Sequence, residues 1–183
     1  EWIWDGAIGE VREVHAWCPD MSQQLKQAAA PYGSKEPVAP PAGFDYDRWI
    51  GPAPMAPYTS DRCTKYGGYH IYDYALGFIA GWGAHPLDIV HWGLDMDHGG
   101  PVRCEGSGIL PSADSLWNTI ESWDMRFDYP KSVQVRFMGH RIAEPVVRAR
   151  RNFFRDEGVM FVGTKGWVSG DRTALYTSDR KLQ

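Results

Sequence analysis

His85, Asp88 and His91 recur at three-residue intervals in Gly81-Trp82-Gly83-Ala84-His85-Pro86-Leu87-Asp88-Ile89-Val90-His91, a run otherwise made of apolar and small residues. On a helix, residues three apart share a face, so two imidazoles and a carboxylate could bind a metal, exchange protons or hold a polar substrate. Two such steps turn through about 600°, which splays the imidazoles by about 120° and leaves a metal short of ligands. No further ligand is evident, and no metal is assigned. For either histidine alone, burial with a satisfied ring competes with a place in a cleft.

A second constellation lies in residues 19–70. Seven of the 13 prolines fall between Pro31 and Pro57, together with Gly33, Gly43 and Gly51. Proline lacks an N–H and fixes φ, so neither regular sheet nor long helix fits there. The same stretch carries Phe44, Tyr46, Trp49, Tyr58, Tyr66 and Tyr69, which a disordered linker would not need. Aromatic faces beside isolated polar groups suit carbohydrate, and Trp49, Tyr58 and Arg62 form the candidate set. The alternative is that these rings only fasten the loop to the sheet. Asp45 to Trp49 reads as one short helical turn capped by the aspartate.

The elements that position these groups follow from hydrophobic periodicity. Residues 74–95 read as a helix whose polar stripe is Gly81, His85, Asp88, His91 and Asp95. Phe78, Ile79, Trp82, Leu87, Ile89, Val90, Trp92 and Leu94 occupy the rest, which predicts a buried helix presenting its stripe to a cleft. Pro86 either kinks that helix or opens a second piece jointed at Gly83 and Ala84. Residues 1–18 read as a helix end, a turn at Gly6 and Gly9, and a strand. Strands are predicted over 102–108, 119–129, 132–138, 158–163, 167–169 and 174–177, with a hairpin at Tyr129-Pro130-Lys131-Ser132. The fold class is α+β: an open, mainly antiparallel β-sheet with helices on one face. Trp123, Met125 and Phe127 are expected on the face away from the long helix, where an apolar remainder would form a homodimer or homotetramer through the sheet face.

Composition removes other classes. With 43% hydrophobic residues in 183, the chain can bury a core, and its length suits one domain. A net charge of −4 argues against nucleic-acid and membrane-surface partners, and no apolar run reaches the roughly 20 residues of a bilayer span. Cys18, Cys63 and Cys104 form no C-x-x-C pair, which favours three buried thiols over one disulfide. Arg148-Ala149-Arg150-Arg151 reads as a solvated connection and Gly163-Thr164-Lys165-Gly166 as a hairpin turn. G-x-G-x-x-G after a predicted strand and G-x-S-x-G are both absent, so no cofactor-binding residues are assigned.

The stretch Gly77-Phe-Ile-Ala-Gly81-Trp-Gly83-Ala-His85-Pro-Leu-Asp88-Ile-Val-His91-Trp92 resembles the signature helix of the glucose–fructose oxidoreductase/inositol dehydrogenase/rhizopine catabolism (Gfo/Idh/MocA) family. Ile8 to Trp17, Phe44 to Pro54 and Gly158 to Trp167 are similar to three flanking segments of its C-terminal substrate domain. The resemblance implies that residues 1–183 are a C-terminal substrate-binding and oligomerisation domain, without the family's N-terminal Rossmann domain. It further implies an NAD- or NADP-dependent oxidoreductase acting on a CH–OH group of a sugar, polyol or related compound. The family's helix usually carries an aspartate four residues before a histidine. His85 fills the histidine position and is the catalytic candidate, exchanging the hydroxyl proton. Gly81 fills the aspartate position, a departure that leaves a gap for substrate, water or another side chain. Candidate substrate contacts are Trp17, Trp49, Tyr58, Arg62, Trp82 and Asp88. No tightly bound NAD is expected on these residues alone, and the compartment, cytoplasmic or periplasmic, stays open. Two other functions remain: a non-catalytic carbohydrate-binding or assembly module, and an NAD-dependent glycosidase.

Overall fold

The structure is a computed structural model and describes residues 1–179. Its centre is β1 (Val11–Cys18), whose five residues from Val14 onward are all buried. A strand buried on both faces needs neighbours on both edges, and these come from the far end of the chain. They belong to one seven-stranded sheet in the order β2-β3-β4-β1-β5-β6-β7.

Between β1 and the second strand lie two single 3-10 turns, Met21–Gln23 and Leu25–Gln27, and four short α-helices. Helix α1 (Tyr46–Ile50) is capped by Asp45, whose carboxylate accepts from the Arg48 amide at 3.0 Å, as the sequence predicts. Helix α2 (Lys65–His70) is capped by Thr64. The predicted 74–95 helix is two pieces, α3 (Phe78–Gly81) and α4 (Ala84–Gly93), with the joint at Trp82 and Gly83 and Pro86 in the first turn of the second. It starts at Phe78 and not earlier because Gly77 adopts φ 78°, a left-handed conformation that ends any preceding helix.

The strands then follow as β2 (Arg103–Ile109), β3 (Ser122–Tyr129) and β4 (Val133–Gly139). The β3–β4 hairpin turns at Pro130–Ser132, with Lys131 and Ser132 at positive φ. After α5 (His140–Arg151) come β5 (Gly158–Gly163), β6 (Trp167–Gly170) and β7 (Leu175–Thr177). All pairs are antiparallel except β1 with β4. The fold is α+β with an open, mainly antiparallel sheet, as expected.

Strand alternation divides the core. Val14, Ala16, Val135, Phe137, Val159 and Phe161 point to one face and pack with Phe78 and Val90 of α3 and α4. Trp17, Met138 and Met160 point to the other and pack with Ala143 and Val147 of α5. The second face therefore also carries a helix, which the sequence reading lacked. Trp123, Met125 and Phe127 lie on the α3/α4 face, opposite to expectation. The β3–β4 register sets Met125 against Phe137 and Phe127 against Val135, so they share that stripe. Beyond α5, the other face is polar. Arg136 makes a bidentate pair with Asp124 at 2.7 Å, and Arg126 is exposed beside them.

Three smaller expectations are corrected. Residues 1–8 form irregular turns and not a helix end, with Gly6 and Gly9 both at positive φ. The three cysteines are free, but only Cys18 is buried, while Cys63 is half-buried and Cys104 exposed. The basic run is the last turn of α5, where cations complement the helix dipole, and not a loop. Its Arg151 is buried, over the rings of Phe153, Tyr176 and Trp17 at 4.2, 5.0 and 5.2 Å, with Nη1 donating to Ser169 Oγ at 2.8 Å. The predicted strands, the hairpin turns and the Asp45 cap are as the sequence reading placed them, to within three residues at their ends.

Candidate functional site

Helix α4 packs Pro86 and Val90 against the sheet and turns His85 and Asp88 outward. Both line a cleft of about 1230 Å³. That exceeds the roughly 300–1,000 Å³ of common small-molecule sites. One wall is α4, with Ile89 and Trp92; the facing wall is the N-terminal segment, with Trp4; Val159, Phe161 and Val168 form the floor. Trp4 meets Trp92 edge-on at 5.9 Å, and its Nε1 donates to the Gly93 carbonyl at 3.3 Å, which pins the segment to the end of α4. Ile89 and Trp92 are 47% and 64% exposed, so the helix is not apolar and buried on most sides as its composition predicts. Only one side of α4 meets the sheet, and the other forms the greasy wall of the cleft.

The far rim is charged. Arg172, on the turn between β6 and β7, pairs through Nε with Glu157 Oε1, and its guanidinium lies 5.3 Å from the Trp82 ring. Trp82 in turn meets the His85 imidazole edge-on at 5.6 Å. Asp171 beside it is buried, which opposes ionisation. Hydrogen bonds from the Thr173 hydroxyl and amide and the Ala174 amide outweigh that and hold its carboxyl below the usual carboxylate range. The arrangement gives a cleft with flat apolar walls, one imidazole, and a cation–carboxylate pair. Such a surface suits a polyhydroxylated ring, stacked on its C–H face and bonded at its edge.

The other predicted contacts divide into two further places. Trp49, Tyr58 and Arg62 are brought together as the sequence reading expects. Tyr46 stacks on Trp49 at 6.4 Å and meets Tyr58 at 5.3 Å, Trp49 meets Tyr74 at 4.9 Å, and Arg62 donates to Tyr74 Oη at 2.9 Å and to the Pro57 carbonyl at 3.0 Å. These residues pack on one another and do not line the cleft. Trp17 is fully buried on the α5 face, its Nε1 donating to the Arg155 carbonyl at 2.8 Å, so it does not reach a ligand at His85. His91 leaves the predicted stripe as well: its Nε2 is 2.7 Å from the Tyr129 hydroxyl at the sheet. No group of three or more metal-ligating side chains exists among the described residues.

The gap at Gly81 is filled. A Cβ there would meet the Tyr69 ring at 2.7 Å, so the tyrosine edge occupies the space a longer side chain would need. Tyr69 comes from α2 and also meets Phe78 at 5.0 Å. Trp4, Trp92, Glu157 and Arg172 were missed by sequence reasoning, because no spacing links residues 1–4, 85–93 and 157–175.

Residues 20–144 match the family model described as "Oxidoreductase family, C-terminal alpha/beta domain". The chain belongs to that family. No curated protein matches the sequence. Among solved structures, a Thermotoga maritima protein assigned as an oxidoreductase aligns over 98% of this chain and 41% of its own, at 14% identity and a TM-score of 0.52. The myo-inositol 2-dehydrogenase of Lactobacillus plantarum aligns over 93% and 37%, at 12% identity and a TM-score of 0.45. This chain thus spans about two fifths of the length of the oxidoreductases it resembles. Membership of the family and the shared fold agree with the Gfo/Idh/MocA resemblance.

Proposed function

We propose that this domain forms the substrate side of an NAD(P)-dependent oxidoreductase that acts on a CH–OH group of a sugar or polyol. The observation that carries the reading is the exposed His85 on the wall of a large aromatic cleft, in a chain of the oxidoreductase family. His85 would accept the proton of the reacting hydroxyl in oxidation and return it in reduction. Trp92 and Trp4 would stack on the ring, while Asp88 and the Glu157–Arg172 pair would bond its other hydroxyls.

The described residues do not fit a dinucleotide. No glycine-rich turn joins a strand to a following helix, and the one parallel strand pair is not connected as a βαβ unit with such a turn. On this reading the nucleotide is held by other residues of the complete protein, and no step through it is assigned to those described. Calorimetric titration of residues 1–183 with NAD(H) is expected to show no micromolar binding.

The test is turnover of His85→Ala and His85→Gln in the complete protein that carries this domain, with NAD(P) and a panel of polyols including myo-inositol. Loss of about 10²-fold or more in kcat is expected for both variants. Unchanged turnover would remove His85 from the chemistry. Retained binding of a polyol without any turnover in the parent protein would favour a carbohydrate-binding module.

A further inference from the structure

Two of the protein's own cations are held in the same way. The Arg172 guanidinium lies 5.3 Å from the Trp82 ring and pairs with the Glu157 carboxylate. Arg151 lies over the rings of Phe153, Tyr176 and Trp17, with its Nη2 3.9 Å from the Asp171 carboxylate. In both places an aromatic face, which is electronegative, and a carboxylate share one positive charge.

A third set of these parts stands in the cleft wall. His85, Asp88 and Trp92 occupy positions i, i+3 and i+7 of α4, so they form one stripe, and all three line the cleft. Asp88 and Trp92 are one turn apart, with about 5–6 Å between Cβ atoms at that spacing. Trp4 faces them and meets Trp92 with 88° between the ring planes, so the two indoles make a corner and not a stack. Both rings keep more than half of their surface exposed. No lysine or arginine of the described residues completes this set. Asp88 makes no ion pair or hydrogen bond with them, and Arg172, engaged by Glu157 on the far rim, is the one Lys or Arg lining the cleft. Carboxylates outnumber it, because Glu1, Asp88, Glu157 and Asp171 line the same space. A cleft with apolar walls and an excess of one charge concentrates ligands of the other sign. A ligand hydroxyl would give Asp88 a hydrogen bond but leave the indole faces and the excess charge unanswered. An ammonium group answers all three.

We propose that the ligand of this cleft is a carbohydrate bearing an ammonium group, an amino sugar. Its ammonium sits in the corner of Trp4, Trp92 and Asp88, while a hydroxyl elsewhere on the ring reaches His85. The group that Asp88 holds is then a cation and not a hydroxyl. The inference rests on the reading of the cleft as a carbohydrate site and narrows its ligand class.

Calorimetric titration of the complete protein with glucosamine, galactosamine and mannosamine tests it, each matched at pH 7 against the sugar with a hydroxyl in place of the amine. At least one amine should bind about tenfold or more tighter than its counterpart, by a margin that shrinks as salt is raised. Asp88→Asn and Trp92→Ala should each cut that margin to about threefold or less. Both should change the melting temperature little, since both side chains are exposed. No binding by any amine, equal binding within every pair, or a margin that survives Asp88→Asn overturns the proposal. His85-dependent turnover of neutral polyols without an amine preference would sink this inference alone. An amine preference in a protein that turns over no carbohydrate would uphold the corner and sink the oxidoreductase reading.

Discussion

On the α4 face of the sheet, His85, Asp88 and Trp92 stand exposed around a cleft; on the α5 face, Arg151, Trp17 and Asp20 are sealed with their partners. Asp20 accepts from the Ser22 and Ser122 hydroxyls and from the Arg141 amide, so a buried carboxylate caps α5. Arg151 sits among three rings. Polar groups taken out of water need partners inside: the Asp20 carboxylate is used up in this way, and Arg151 is held by Ser169 through Nη1 and by the three rings. His85 and Asp88 on α4 are exposed and carry no such duty, which leaves them available to a ligand. Tryptophans on the two faces make the same contrast: Trp17 fills space, and Trp92 walls a cavity.

The contrast can be broken most sharply by truncation. Trp17→Ala should cost about 3–5 kcal/mol in urea unfolding, the usual range for emptying a large core site. A loss under about 1 kcal/mol would show that the α5 face is not a packed layer.

One buried titratable group sits on the α4 side and sharpens the comparison. His70 is fully buried between Phe78 and Trp117, at 4.7 and 5.8 Å, and burial pushes its pKa down to about 4. The unfolded chain, with a histidine near 6.5, takes up the proton first as pH falls. Stability is therefore full above pH 6.5 and is lost progressively between 6.5 and 4, by on the order of 3 kcal/mol. Burial also lowers His15, which acts in the same direction. Asp171 and Asp124, held below the usual carboxylate range, lose their contribution only at more acid pH. Urea midpoints measured from pH 7 to 4 should show the drop, and His70→Gln should remove most of it. An unchanged drop would place its origin elsewhere.

The Tyr69 edge at Gly81 predicts a smaller effect. Gly81→Asp should destabilise by about 1–3 kcal/mol, because Tyr69 must leave its place beside α3. If Tyr69→Ala/Gly81→Asp recovers the melting temperature of Tyr69→Ala alone, the clash is the cause; no recovery would assign it to the helix joint. The smallest stability change is expected for Trp92→Ala, under about 1 kcal/mol, with the loss read in ligand affinity. A larger melting shift would make Trp92 structural and bring the two faces closer in kind.

Much of this architecture is legible in the sequence where the signals are local. The Tyr129–Ser132 turn, the β4 stripe of Val133, Val135 and Phe137, and the Asp45 cap each depend on neighbours in the chain. Helix α5 was obscured by Pro145 within it and by its four arginines, although Ile142, Ala143, Val146 and Val147 supply an inward face. The cleft was only half legible. His85 stood out by spacing, but Trp4, Glu157 and Arg172 join it through tertiary contacts alone. Trp17 misled because a tryptophan on a strand reads the same whether it is packed or presented.

Strand β1 has a consequence for how the molecule comes together. Its pairing begins at Glu13 against Gln134 on one edge and at Val11 against Gly163 on the other, so the middle of the sheet is the first of its strands made and the last completed. Until residues 133–139 have emerged from the ribosome this eight-residue strand has both edges unpaired, and until residue 163 has emerged one edge still is. Closing loops of that length slows folding and exposes the nascent chain to aggregation. A chain cut short before β5 would retain a hairpin and several helices, yet have no complete core on which to hold them.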